Sequence, residues 1–202
     1  MRRPMVRCSM AAAIAIPWIV AVLAIGCATP MSRFYTLSST PAPAATPVAY
    51  SVAVGPVTIP AVIDRPQIVV STSPNQVQLD EFNRWASPLQ NNIGRVVADN
   101  LASILGTARV SLFPQSMSAA ADYRVALHVQ RFDTAPGDAA SLDAVWTIVR
   151  AKDGATQTGR TSVRESSPTG GYDGVAAAHS RALARLSRDI ADAIQAMARS
   201  GQ

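Results

Sequence analysis

Apolar side chains recur every three or four residues in two stretches of the chain, which is the spacing of an amphipathic helix. The first stretch runs from Leu89 to Leu105, with Ser87 as the predicted N-cap and Gly106 as the predicted terminator. The second lies near the carboxyl end, where Asp173 is the predicted N-cap. Its apolar positions are Val175, Leu183, Leu186, Ile190, Ile194 and Met197. The pattern therefore predicts two helices that each bury one face.

Alternation of apolar and polar residues predicts strands in much of the remaining chain. It is clearest over residues 123–130, whereas residues 142–149 are apolar on both faces and predict a central strand. Further strands are predicted over residues 33–37, 51–57, 67–72, 76–79, 109–113 and 157–165, the last as an edge strand. The order of strands, helix, strands and helix predicts an α+β fold, with a mixed or antiparallel sheet of about five to seven strands and two main amphipathic helices packed on it.

The amino-terminal segment has the pattern of a secretory signal. Three arginines and no acid precede an apolar run over residues 11–25, which is shorter than the roughly 20 residues of a spanning helix. Residues 23–27 resemble a bacterial lipobox, with small residues before Cys27 and Leu23 one position further out than usual. Two alternatives stay open: a permanent membrane anchor, and ordinary cleavage that leaves a free thiol at Cys27.

These features predict a lipoprotein signal peptide over residues 1–26, a lipidated tether over residues 27–32 and one domain over residues 33–202. Acyl chains on Cys27 would anchor the protein to a membrane. Ala28 rather than an aspartate follows the cysteine, which favours the outer membrane under the enteric sorting rule. The five residues after Cys27 reach at most about 16–18 Å, so we expect the domain to lie close to the membrane surface.

Charge and cysteine content exclude two classes of protein. The formal net charge is +5, and it falls to +2 once the three arginines of residues 1–26 are removed. A nearly neutral domain lacks the basic footprint of a nucleic-acid-binding protein. The chain has two cysteines, and only Cys27 remains after cleavage, so no internal disulfide is expected.

The sequence contains no recognisable catalytic or metal-binding motif. His128 and His179, the only histidines, lie on a predicted polar strand face and near a predicted apolar helix seam. Neither has the nucleophile context that a catalytic dyad needs. Gly170 and Gly171 precede the last helix and could hold an anion, but without a Walker lysine they favour a plain turn. We therefore expect no enzyme activity, no metal and no cofactor.

Two stretches carry unusual side chains and are candidate partner contacts. One is the proline-punctuated segment over residues 54–69, and the other spans residues 82–89. Tryptophan and arginine are the side chains most enriched in interface hot spots. The candidate contact residues are Asp64, Arg65, Asn83, Arg84 and Trp85. An equally weighted alternative is that Trp85 plugs the end of the core while Arg84 and Asp64 form a surface pair.

Together with the lipobox and the strand over residues 33–37, these two stretches resemble the PqiC-type ABC-transport auxiliary lipoproteins. The resemblance covers nearly all of the mature chain, and Phe34 stands where the family often has tyrosine. It implies a non-enzymatic outer-membrane lipoprotein that faces the periplasm. It also implies an MCE-domain protein of an intermembrane lipid-transport system as the partner. Cys27 is the only residue whose family role is carried over, as the lipid-bearing position.

The mechanism that follows is positional: acyl chains fix the domain at the membrane and an exposed edge docks the partner. A tubular partner would favour a cyclic dock, so a ring-shaped homo-oligomer is a further expectation. The alternative is a stand-alone binding module for a lipid or an envelope glycan, which would need a roomy apolar pocket with few polar groups.

Overall fold

The computed structural model describes residues 31–40, 46–73, 75–114, 120–167 and 171–200, and the folded unit begins at Ser32. The predicted signal peptide, Cys27 and Gly170 lie outside the described residues. No helix within the described ranges is long and apolar enough to span a bilayer.

The described residues form an eight-stranded mixed sheet and two long helices, which confirms the predicted α+β class. The helices are α1 (Leu89–Leu105) and α2 (Tyr172–Ser200). The strands are β1 (Arg33–Tyr35), β2 (Val52–Thr58), β3 (Gln67–Ser73), β4 (Gln76–Trp85), β5 (Val110–Leu112), β6 (Tyr123–Ala135), β7 (Ala139–Arg150) and β8 (Thr156–Ser166).

Strand β6 organises the sheet. On one side it begins an antiparallel meander with β7 and β8. On its other side β2 and β3 follow one another along the same edge, both parallel to β6. The proline-punctuated connection between them forms a turn at residues 61–63 and no strand, as the prolines predicted, since proline lacks an N–H to donate. Strand β4 pairs antiparallel with β3 and parallel with β1, and β5 pairs with β2.

The core lies between the sheet and the two helices. Every position of the predicted apolar stripe of α2 is buried. In α1, six of the seven large apolar side chains that recur at helical spacing are buried. Helix α2 contacts β7, β8 and α1. Because each helix places apolar side chains on one face only, burial of that face fixes how it packs on the sheet.

Both predicted N-caps are wrong, Ser87 by one residue and Asp173 by two. Helix α1 begins after Pro88, whose ψ of 125° is extended, and no side chain caps it. Proline suits this place because its missing N–H needs no partner at a helix start. Asp173 lies within the first turn of α2, where its charge is favourable beside the helix dipole. Gly106 ends α1 in the left-handed conformation, as predicted, at φ 62°.

Strand β4 is much longer than the short strand predicted over residues 76–79. It continues through Trp85 after a bulge, because Gln67 of β3 faces Arg84 while the next residue, Ile68, faces Asp80. Three residues of β4 therefore have no counterpart on β3 at this point. Asn83 therefore lies within the bulge, and Arg84 and Trp85 follow it directly.

Candidate partner-binding groove

Asp80 shapes the β4 bulge through its side chain. Its Oδ1 accepts hydrogen bonds from the backbone N–H groups of Phe82 and Asn83, at 2.9 and 2.8 Å. An aspartate that bonds the backbone two and three residues ahead replaces ladder bonds that the bulge has broken. The bulge is therefore a defined local structure and not a loose segment of strand.

A chain of polar side chains connects this bulge to both ends of the fold. The Tyr172 hydroxyl at the start of α2 donates to Asp80 Oδ2 at 2.5 Å, and Asn83 Nδ2 donates to the same oxygen at 2.9 Å. The Tyr35 hydroxyl donates to Asn83 Oδ1 at 2.9 Å. The rings of Tyr35 and Tyr172 lie 5.8 Å apart. We refer to Tyr35, Asp80, Asn83 and Tyr172 as the polar network.

The polar network shifts the ionisation of two of its members. Burial alone would raise the pKa of Asp80, but the hydrogen bonds from Tyr172, Asn83 and Phe82 outweigh it and lower this pKa. Burial, followed by the hydrogen bond to Asp80, raises the pKa of the Tyr172 hydroxyl. Both shifts keep the carboxylate ionised and the phenol protonated at neutral pH, so the Tyr172–Asp80 hydrogen bond persists.

An open groove of about 390 Å³ lies where β4 ends and α1 begins. Its lining comes from two parts of the chain that are about twenty positions apart: Asp64, Arg65, Pro66, Trp85, Ala86, Ser87, Pro88 and Leu89. Trp85 and Leu89 are buried and form its floor, whereas Asp64, Pro66, Ser87 and Pro88 are exposed at its rim. We call this site the Trp85 groove.

Backbone hydrogen bonds hold the two sides of the Trp85 groove together. The Trp85 N–H donates to the Pro66 carbonyl at 2.7 Å, and the Ala86 N–H donates to the Tyr35 carbonyl at 2.8 Å. The connection from β2 is itself anchored by Ile63, which is buried. Bonds of this kind, together with the two prolines at the rim, preform the groove.

Three of the five predicted contact residues meet in the Trp85 groove. Asp64, Arg65 and Trp85 line it. Asn83 belongs to the polar network. Arg84 donates from Nε to the Glu81 carbonyl at 2.9 Å and lies 3.8 Å from the Glu81 carboxylate. The alternative in which Arg84 pairs with Asp64 is therefore not observed, although its other half holds, since Trp85 is buried.

Arg65 has an unusual environment at the rim. Its side chain is half-buried, and its Nε is buried with no hydrogen-bond partner among the described residues. A buried donor without an acceptor costs free energy. Arg65 is the cationic residue among those that line the groove.

The two histidines lie apart from the Trp85 groove opening. His128 is exposed and contacts Thr58 Oγ1 through Nδ1 at 2.6 Å. His179 is fully buried, stacks on Phe132 at 3.8 Å and contacts Thr134 Oγ1 through Nε2 at 3.0 Å. Burial lowers the pKa of His179 to about 3. Both positions agree with the structural interpretation of these residues from the sequence.

No group of three or more His, Cys, Asp or Glu side chains in the described ranges could hold a metal ion.

The roles of Asp80 and Tyr172 were not predicted from the sequence. The two residues are 92 positions apart, and no local pattern joins them. The role of the rim prolines was not predicted either. A proline just before a predicted helix and another just before a predicted strand are the signals that could have marked the two rims.

The described residues form an α+β domain, in which two helices pack on a mixed sheet and an open groove lies where β4 ends. A family model for the ABC-type transport auxiliary lipoprotein component matches residues 35–191. The match covers well over half of the chain, and the chain belongs to this family. Its members are auxiliary components of transport systems and are lipoproteins.

Solved structures support the fold. A crystal structure of an uncharacterised protein has a TM-score of 0.68 and 20% sequence identity, covering 82% of this chain and 99% of that one. A DUF330 protein from Xanthomonas campestris has a TM-score of 0.63 and 23% identity, covering 84% of this chain and 100% of its own. A comparison with curated protein sequences gave no significant match.

Proposed function

We propose that this protein is a non-catalytic outer-membrane lipoprotein subunit of an MCE-type intermembrane lipid-transport system. In this proposal acylated Cys27 holds the domain at the periplasmic face of the outer membrane, and the Trp85 groove docks the periplasm-spanning MCE component. The observation that carries it is the meeting of Asp64, Arg65 and Trp85 in one groove, from two distant parts of the chain.

The groove has the composition of a protein-binding hot spot. Trp85 and Leu89 offer an apolar floor, and the rim supplies charged and hydroxyl groups. Such a centre, apolar with a polar surround, concentrates binding energy because the rim excludes water from the contact. Arg65 adds a cationic group to the lining, which would favour an acceptor group on the partner.

The placement of the groove suits a tethered adaptor. Strand β1 begins at Arg33, next to the proposed tether, and runs parallel to β4 toward Trp85. The groove therefore lies beyond the end of β1 that is farther from the tether. Two or three acyl chains on Cys27 would give stable anchoring, since one chain alone binds a membrane only marginally.

Site-specific photo-crosslinking in cells tests the docking. A photoreactive amino acid replaces Ser87, which is exposed at the rim, or Ser162, which is exposed on β8 at the opposite edge of the sheet. We expect the probe at position 87, and not the one at 162, to capture an MCE-domain protein. Capture of lipid alone from position 87 would contradict the proposal and favour the stand-alone lipid-binding alternative.

The expected cyclic homo-oligomer follows from the tubular shape proposed for the partner, because a ring can contact a tube with equivalent surfaces. Native mass spectrometry of the detergent-solubilised, acylated protein is the test. If the protein is a monomer both alone and with the MCE component, the ring-shaped oligomer is contradicted. The docking site is tested independently of this result by the photo-crosslinks.

A further inference from the structure

Two exposed phenylalanines lie on neighbouring strands where the domain begins. Phe34 is 65% exposed and Phe82 is 40% exposed. Strands β1 and β4 are parallel, with Arg33 opposite Asn83 and Phe34 opposite Arg84. Phe82 lies in the β4 bulge directly before Asn83, so it is close to Phe34 across the two strands. We call these two residues the aromatic patch.

The aromatic patch faces away from the core. The neighbouring pair in the same register, Tyr35 and Trp85, is buried on the opposite side of the strands. Strand β1 is the last strand of the sheet at this edge in the part of the chain that the structure describes. Single exposed apolar residues are normal, but exposed aromatic residues on two neighbouring strands at a sheet edge form a larger apolar patch, which is typical of an interaction surface.

The proposed tether ends directly at the aromatic patch. Ser32 precedes the β1–β4 pairing, in which Arg33 faces Asn83, the neighbour of Phe82. Five residues lie between Cys27 and Arg33, so the two backbones are at most about 20–22 Å apart. A surface held this close to a lipid anchor meets the bilayer at a high effective concentration, so even a weak contact is well populated.

The chemistry of the patch suits the boundary between headgroups and acyl chains. Phenylalanine rings enter this boundary with their apolar faces, and arginine binds lipid phosphate. Arg33 is exposed and forms no salt bridge with any described residue. Its neighbour Met31 is 88% exposed and adds apolar surface to the same short segment.

We infer that the aromatic patch, with Arg33, rests on the phospholipid surface of the membrane to which the protein is anchored. This contact would fix how the domain is oriented and direct the Trp85 groove away from the bilayer. The inference rests on the acylation of Cys27, which belongs to the proposed function.

Tryptophan fluorescence in vesicles tests the contact. Three variants of the full acylated protein are prepared: Phe34→Trp, Phe82→Trp and Phe113→Trp. Each is reconstituted into phosphatidylethanolamine–phosphatidylglycerol vesicles that contain brominated phosphatidylcholine. Phe113 is the matched control, since it is 54% exposed and follows β5, at the other end of the strand order from β1. Trp85 and Trp146 are buried and give a constant background.

We expect bromine quenching at positions 34 and 82 to exceed that at 113 by about twofold or more, with a blue-shifted emission. Equal quenching at all three positions would overturn the inference. The inference would also be overturned if the tryptophan at position 34 became shielded from solvent only after the MCE component is added, because the patch would then be a protein interface. Shielding from solvent that increases with protein concentration in detergent would show that the patch binds a second copy of the chain, and would overturn the inference as well.

The same preparations separate this inference from the proposed function. Mass spectrometry of the mature amino terminus reports acylation, and photo-crosslinking from Ser87 reports docking. An acylated protein that crosslinks to the MCE component without enhanced quenching would refute the membrane contact alone. An unmodified Cys27 would refute both.

Discussion

The β6–β7–β8 meander and the β1–β4–β3 corner belong to the same sheet but are built differently. Strands β7 and β8 keep an unbroken register from the Ala139–Ser166 pair to the Val149–Thr156 pair. The β3–β4 pair shifts register twice over a shorter length. In the meander, backbone ladders and helix packing hold the strands. In the corner, the side chain of Asp80 replaces part of the ladder.

The difference lies in what each region buries and what it exposes. The meander packs against α2 and buries one side of each strand in a continuous core. The corner forgoes part of its regular pairing and gains the Trp85 groove and the aromatic patch. Bulges of this kind often lie beside functional sites because they redirect side chains that a regular strand would bury.

The largest contrast is expected from removing an apolar side chain in each region. Ile148 on β7 is fully buried, so Ile148→Ala should lower the free energy of unfolding by about 2–5 kcal/mol. Leu79 on β4 is only partly buried, so Leu79→Ala should lower the free energy of unfolding clearly less than Ile148→Ala does. Urea denaturation of both variants measures the difference. Equal losses would mean that the corner is as tightly packed as the meander.

The second test uses pH and the buried His179. Its pKa is about 3 in the folded protein and near 6.5 when unfolded. Below pH 6.5 the unfolded chain therefore binds a proton that the folded protein does not, and stability falls by up to about 1.4 kcal/mol per pH unit until the folded pKa is reached. His179→Gln, which keeps a partner for Thr134, should show a shallower decline between pH 6.5 and 4. Parallel declines would contradict the assignment.

The third test addresses the polar network. Asp80→Asn places an amide opposite the two side-chain donors at Oδ2 and should lower the free energy of unfolding by about 1–3 kcal/mol at pH 7. Tyr172→Phe removes one hydrogen bond and should cost about 1 kcal/mol.

The sign of the pH dependence is also defined for Asp80. Its pKa is lowered on folding, so its contribution is fully present above the unfolded value of 3.8 and is lost as the pH falls through the folded value. The difference in free energy of unfolding between the wild type and Asp80→Asn should therefore become smaller below pH 3.8. A difference that stays constant below this pH would show that the network does not require the charge of the carboxylate.

The smallest effect on stability is expected at the groove rim. Arg65→Gln removes a donor that has no partner and should change the free energy of unfolding by less than about 0.5 kcal/mol. It should nevertheless reduce crosslinking from Ser87 to the MCE component about tenfold, as expected for a hot-spot arginine. Arg84→Gln is the control, because Arg84 does not line the groove. Equal losses in both variants would argue against a specific role for Arg65.

Much of the regular structure followed from local patterns. The stripes of α1 and α2 and the alternation in β6 all lie where predicted. Each of these signals reports burial within a few residues, which a sequence displays directly. The prediction ended β4 too early, because residues 80–85 do not alternate between apolar and polar side chains, and their role in the bulge depends on contacts with other elements.

The sequence by itself determined the class of the fold, the two helices and the strands over residues 123–130 and 142–149. It also predicted five contact residues, Asp64, Arg65, Asn83, Arg84 and Trp85. Only the tertiary structure decided that three of these five share one groove, that Arg84 turns to Glu81, and that Tyr172 supports Asp80. The physical reason is distance along the chain. Periodicity reveals which face of an element is buried, whereas a groove between a loop and a strand end arises only when the β4 bulge brings remote segments together.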